Sequence, residues 1–173
     1  VFCTSSFAFA NRFKKTKIMP AGIDTDFFKR NASVDRRPND LLYIGRVSPI
    51  KNIGCMLDAA KLLDARGVDF LLSIVGGPMT AADEAFERML HDRAGNLMNK
   101  EKVRFLPKVS HSETADYYNR AGVCLNATPT GSLDKTVLEA MACGTPVLVS
   151  NRSYCGSIPD IFLFEEGNAG HLA

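Results

Sequence analysis

Two cations, Arg46 and Lys51, follow the apolar run Leu41-Leu42-Tyr43-Ile44, one directly after Gly45 and the other where a helical stretch opens. An arginine fork and a lysine point charge on one loop are suited to gripping a diphosphate. On an ordinary surface the same two residues would only be solvated heads on apolar stems. A second stretch points the same way: Gly131-Ser132-Leu133-Asp134-Lys135-Thr136-Val137-Leu138-Glu139-Ala140-Met141-Ala142-Cys143-Gly144-Thr145-Pro146-Val147. Here a glycine-containing loop runs into a short helix, Gly-Thr-Pro stops it, and a β-branched run follows. Free N–H groups and the dipole at a helix N-terminus attract phosphate. Glu139 sits among Val137, Leu138 and Met141. It either faces solvent and pairs with Lys135 or accepts hydrogen bonds from sugar or ribose hydroxyls, and periodicity alone leaves both open.

The elements that must carry these residues alternate regularly from Leu41 onward. Short apolar runs at 41–44, 70–75, 103–106, 123–125 and 147–149 suit buried parallel strands, and Ile161-Phe162-Leu163-Phe164 suits a sixth. Helical spacing over 52–66, a helix from Thr80 to about Ala94, a Ser110/Glu113 capping box opening a helix through Asn119, and a helix over 135–143 separate them. Strands alternating with helices at this spacing mean crossover units and a parallel, Rossmann-like α/β sheet. Ligands of such sheets sit beyond the carboxyl ends of the strands. The loops at Gly45-Arg46, Gly76-Gly77, Pro107-Lys108-Val109 and 128–135 therefore face one crevice. Residues 1–40 differ in character. A short helix capped by Ser5 or Ser6 and reaching about Lys15, an extended Pro/Gly-broken piece at 17–24, and a polar connector over 31–40 containing Pro38 are expected there.

Bulk properties exclude several classes. The 173 residues, 46% of them hydrophobic and 23% charged, support one ordinary soluble core. A formal charge of +2 is too small to argue for nucleic acid. No run approaches the ~20 apolar residues that cross a bilayer, and the opening Val1-Phe2-Cys3 has neither a signal-peptide n-region nor an initiator Met, which suggests an excised piece. Five cysteines with no C-x-x-C pair, and three scattered histidines, argue for a reduced, cytoplasmic chain without a metal site. The dinucleotide fingerprint G-x-G-x-x-G, the P-loop and the G-x-S-x-G elbow are all missing.

Tyr43-Ile44-Gly45-Arg46 with Lys51, Val75-Gly76-Gly77-Pro78, Phe105-Leu106 and, above all, the block 137–147 together resemble the retaining GT-B glycosyltransferases of the group 1 class. Pro20-Ala21-Gly22-Ile23-Asp24 resembles that family's interdomain connector. The resemblance implies a nucleotide-sugar donor-binding domain over 41–173, the C-terminal half of a two-domain enzyme, preceded by a remnant and linker over 1–40. It further implies that Arg46 and Lys51 hold the donor diphosphate and stabilise it as it leaves, and that Glu139 binds the ribose. These three are the candidate catalytic residues. Gly45, Gly77, Val109, Gly131, Ser132, Leu133, Asp134, Lys135 and Thr136 are the candidate substrate-binding residues. Backbone N–H groups of the 132–136 loop approach phosphate and sugar, and the loop around Lys108 and Val109 reads the base.

Two positions depart from that pattern. Gly131 stands where the family has a second Glu, eight residues before the one matched by Glu139, and Asp134-Lys135 replaces a Gly-apolar pair. The expectation is a hexosyltransferase-like enzyme that uses a nucleoside diphosphate sugar, needs no cofactor or metal, and takes its acceptor (a saccharide, a lipid-linked saccharide or a small molecule) on a missing N-terminal domain. This chain alone would then be inactive. A cytoplasmic location follows from the same reading, with peripheral attachment at the inner membrane face open to the full-length protein. A non-catalytic nucleotide-sugar binding module and a GT-B sugar-nucleotide epimerase are the alternatives.

Overall fold

A computed structural model describes residues 1–19 and 21–173; Pro20 of the expected connector lies outside the described residues. The main sheet comprises β3 (Arg37–Ile44), β4 (Leu71–Val75), β5 (Val103–Leu106), β6 (Ala121–Asn126) and β7 (Val147–Val149). Its strands are all parallel, in the order β5-β4-β3-β6-β7. β1 (Phe2–Cys3) and β2 (Lys17–Ile18) form a separate two-stranded parallel pair. Parallel neighbours need crossovers, which α1 (Ile53–Ala65), α2 (Ala81–Asn99), α3 (His111–Arg120) and α4 (Lys135–Ala142) supply. A one-turn α5 (Ala169–Leu172) ends the chain. The α/β expectation is met.

Alternation along β3 divides the core into two layers. Tyr43 points into a cluster with Ile53, Met56 and Leu57 of α1 and Leu90, Ala94 and Leu97 of α2. Leu42 points the other way, among Tyr118 of α3 and Val137 and Ala140 of α4. Leu72 and Ile74 of β4 are fully buried, each such side chain being worth about 1.5–3 kcal/mol. The strand order reverses between β3 and β6, which are neighbours on the sheet although β4 and β5 intervene in sequence. A crevice opens beyond the carboxyl ends at such a switch point.

Several local expectations are corrected. β3 begins at Arg37, so part of the expected connector is strand. Pro38 is tolerated because it precedes the β4 ladder, which starts at Asp40, and falls where the register with β6 shifts. Gly122 makes the approach possible, since a Cβ there would lie 2.1 Å from the Pro38 carbonyl oxygen. Phe28 is buried in the second core layer, and the Asn31 N–H donates to Asn119 Oδ1 at 2.7 Å, so the end of the connector is docked on α3.

The helix expected to reach Lys15 is only a 3₁₀ turn over Phe9–Arg12, none of whose residues is buried. Without a face to bury, a short helix does not outweigh its nucleation cost. The sixth strand is likewise a 3₁₀ turn, Asp160–Phe162, preceded by Pro159 and touching β7 through a single bridge at Leu163. α2 continues past Ala94 because Leu97 and Met98 anchor its last turn in the core.

Candidate functional site

The loop after β3 is built to present two cations at the switch point. The Gly45 N–H donates to the Val75 carbonyl and the Val47 N–H to the Gly77 carbonyl, both at 3.0 Å, tying this loop to the one after β4. Gly76 must be glycine at this junction: its φ is 149°, and a Cβ would lie 1.8 Å from the Gly45 oxygen. The Tyr43 hydroxyl donates to the Arg46 carbonyl at 2.8 Å, while Arg46 Nε donates to Ser48 Oγ at 3.2 Å and the side chain otherwise stays exposed. Lys51 closes a 3₁₀ turn (Pro49–Lys51). Asn52, left-handed at φ 48°, then turns the chain into α1. Asn is one of the few side chains that takes this conformation readily.

Lys51 meets the loop after β6 across the switch point. Its Nζ donates to both carboxylate oxygens of Asp134 at 2.9 Å and approaches Thr128 Oγ1 at 3.5 Å. Asp134 Oδ2 also accepts from Asn126 Nδ2 at 2.9 Å and Thr128 Oγ1 at 2.7 Å. Burial alone would push this carboxyl up; the hydrogen bonds from Asn126 and Lys51, the lysine charge and the Thr128 hydroxyl together hold it below its ordinary value. Of the two cations, Lys51 carries an internal anion and Arg46 stands apart on Ser48.

Asp134 is the N-cap residue of α4, yet its side chain caps nothing, because Lys51 takes the carboxylate. The first two helical N–H groups, of Lys135 and Thr136, consequently have no acceptor among the described residues. Other N–H groups of this loop are already engaged. Leu133 donates to Thr4 Oγ1 at 2.9 Å, Asp134 to the Tyr154 hydroxyl at 2.8 Å, and Gly131 to Asn151 Oδ1 at 3.4 Å. Of the 132–136 backbone donors expected to meet phosphate, Leu133 and Asp134 are thus occupied, while those of Ser132, Lys135 and Thr136 have no acceptor among the described residues.

Glu139 does not face solvent. It is buried, and its Oε2 accepts the Tyr118 hydroxyl at 2.9 Å, whereas Lys135 is exposed. Burial pushes the Tyr118 phenol far above its ordinary value, so it stays a neutral donor. Among the described residues Arg36 Nε is the one fully buried side-chain polar atom without a partner. Glu139 Oε1 has no hydrogen-bond partner among the described residues.

Val109 is half-buried against the second core layer beside exposed Lys108. Gly131 accepts Ser153 Oγ at its carbonyl at 2.6 Å, and a Cβ on it would meet nothing closer than the Pro129 oxygen at 4.0 Å. Asn126, Thr128, Asn151 and Tyr154 were not singled out from the sequence. Buried Asn126 and Asn151, each at the carboxyl end of an apolar strand, carried the available signal; Tyr154 carried none. A cavity of about 460 Å³ beside α3, lined by Arg37, Asp40, Ser73 and Arg104, includes none of these residues. No group of three or more metal-ligating side chains occurs among the described residues, and no helix there is long and apolar enough to cross a membrane.

A family profile described as "Glycosyl transferases group 1" matches residues 24–163. D-inositol 3-phosphate glycosyltransferase of Geodermatophilus obscurus is 32% identical over 149 residues, covering 79% of this chain and 33% of the relative. A second enzyme of that name, from Catenulispora acidiphila, is 34% identical over 141 residues, covering 75% and 33%. The chain thus spans about a third of the length of these relatives. Among solved structures, sucrose-phosphate synthase from Thermosynechococcus elongatus superposes with a TM-score of 0.83 at 25% identity, covering 99% of this chain and 46% of that one. Anabaena HepE in complex with UDP and glucose gives a TM-score of 0.82 at 19% identity, covering 100% and 51%, and at that identity shows the shared fold alone.

Proposed function

The chain belongs to the glycosyl transferases group 1 family, and from that premise we propose that it is the donor-binding half of a retaining glycosyltransferase that takes a nucleoside diphosphate sugar. One observation carries this reading: Lys51 and the open N-terminus of α4 converge across the β3/β6 switch point. A diphosphate seated there would accept from the Lys135 and Thr136 N–H groups and draw Lys51 from Asp134. Negative charge grows on the diphosphate as the glycosyl bond breaks. Lys51, with Arg46 swinging in from Ser48, would oppose that charge. Glu139 Oε1 would accept a ribose hydroxyl, its other oxygen being fixed by Tyr118. UDP, glucose and UDP-glucose, bound in the HepE structures, suit a site of this chemistry.

The chain spans about a third of its relatives' length, and the 173 residues are proposed to bind a donor without transferring it. A non-catalytic binding module is the second reading, favoured by Gly131 where the family resemblance has a second Glu. A thermal-shift panel of UDP, GDP, ADP and their sugars tests the proposal. A true ligand at 100 times its Kd should stabilise the fold by about 2.7 kcal/mol. No shift with any of them would overturn donor binding.

A further inference from the structure

The loop proposed to face the donor sugar is tethered to the far end of the chain. Thr4 Oγ1 accepts the Leu133 N–H at 2.9 Å, and the Ser5 hydroxyl donates to the Gly131 carbonyl. Ser5 is itself buried, and Ser153 Oγ, donating to the same carbonyl at 2.6 Å, lies 3.2 Å from Ser5 Oγ. Beyond the loop, Asn151 Nδ2 donates to the Ser132 carbonyl at 2.9 Å. The backbone from Gly131 to Leu133 is therefore held from two sides. Asn151 and Ser153 hold it from within the sheet domain, and Thr4 and Ser5 hold it from the segment that follows β1. Loops with free polar backbone sample many conformations, and each ordering bond narrows them.

We infer that Thr4 and Ser5 are positioning residues that fix the Gly131–Leu133 backbone, so that the sugar end of the donor site depends on where the β1–β2 pair is held. The inference rests on the donor-site reading for its effect on ligand, but not for the tether. Its geometry also assigns a reason for the two residue types: the Leu133 N–H needs the Thr4 oxygen as acceptor, which a valine of the same shape lacks, and the Gly131 carbonyl takes the Ser5 hydroxyl as donor. The diphosphate end would be insulated, because the Lys135 and Thr136 N–H groups and Lys51 make no bond to residues 1–19.

Amide hydrogen exchange of the full 173-residue chain, with calorimetry against UDP and UDP-glucose, tests this. Thr4→Val should speed exchange at Leu133 by about fivefold or more, the scale of one lost hydrogen bond. Leu72, whose N–H donates to Lys102 in the sheet at 2.8 Å, should be unaffected, and Thr4→Ser should exchange like the parent. UDP-glucose should bind Thr4→Val several-fold more weakly, while UDP changes less than about twofold. Unchanged exchange at Leu133, or equal losses for the two ligands, overturns the inference. If the parent binds neither ligand a uridine donor is excluded, the wider nucleotide panel decides the donor reading, and the exchange comparison alone upholds or overturns the tether.

Discussion

Lys51 Nζ stands 2.9 Å from each carboxylate oxygen of Asp134, joining the loops after β3 and β6 at the switch point of the sheet. The lysine side chain is 20% exposed and the aspartate 22%, so the pair is only partly screened by water. A carboxylate in this place competes with any phosphate that approaches Lys51.

Removing that competitor should tighten diphosphate binding. Asp134→Asn is expected to raise affinity by about 1 kcal/mol, the scale of a partly exposed charge pair. Calorimetry with UDP, GDP and ADP reads it. A weaker site in the variant would show that Asp134 aids the ligand instead.

The same pair sets an acid limit. Asp134 has a folded pKa below its ordinary value, so its contribution is fully present above an unfolded pKa of about 3.9. It is lost as pH falls through the lower folded value. Denaturant unfolding below about pH 4 should therefore weaken the parent more steeply than Asp134→Asn. Parallel acid limbs would mean that the ion pair adds no stability.

Gly131→Glu restores a carboxylate in an open position. The nearest atom to a Cβ there is 4.0 Å away, and the substitution should change stability by less than about 0.5 kcal/mol. If the donor sugar lies over this loop, the variant should prefer a sugar-bearing donor over the bare diphosphate by more than the parent does. Competition binding between UDP and UDP-sugars measures the ratio, and an unmoved ratio places the sugar elsewhere.

Tyr118→Phe should cost about 1–3 kcal/mol of stability, because it strips a buried carboxylate oxygen of its donor. Glu139→Ala should weaken diphosphate and sugar-bearing donor alike, as a ribose contact would. Thermal unfolding and calorimetry separate the two effects.

The alternation of strands and helices was legible because buried parallel strands are apolar throughout and the helices show one apolar face. Pro38 misled the reading of β3. A proline ordinarily argues against a central strand, but here it falls before the β4 ladder and at the register shift with β6. The run at 161–164 looked like a strand, yet Ile161 is 83% exposed and the segment turns. Composition does not distinguish a buried apolar run from an exposed one.

In the site, the loops were legible and the pairings were not. Lys51 and Asp134 are 83 positions apart, and Tyr118 and Glu139 lie on different helices. Whether Glu139 is buried depends on which face α4 turns to α3, a fact of packing that periodicity in an eight-residue helix barely constrains. Thr4 and Ser5 lie outside the strand–helix alternation altogether, and only the folded chain brings them to the loop.

The most direct test of the donor site is the affinity of Lys51→Met for the nucleoside diphosphate that binds the parent best, measured by calorimetry. Methionine keeps much of the stem and removes the charge. Binding should weaken by about 1.5–3 kcal/mol, as for a hydrogen bond to a charged group, while Arg36→Met, remote on the Gly144 carbonyl, should leave it unchanged. Equal affinity in parent and Lys51→Met would contradict a diphosphate seated between Lys51 and the N-terminus of α4.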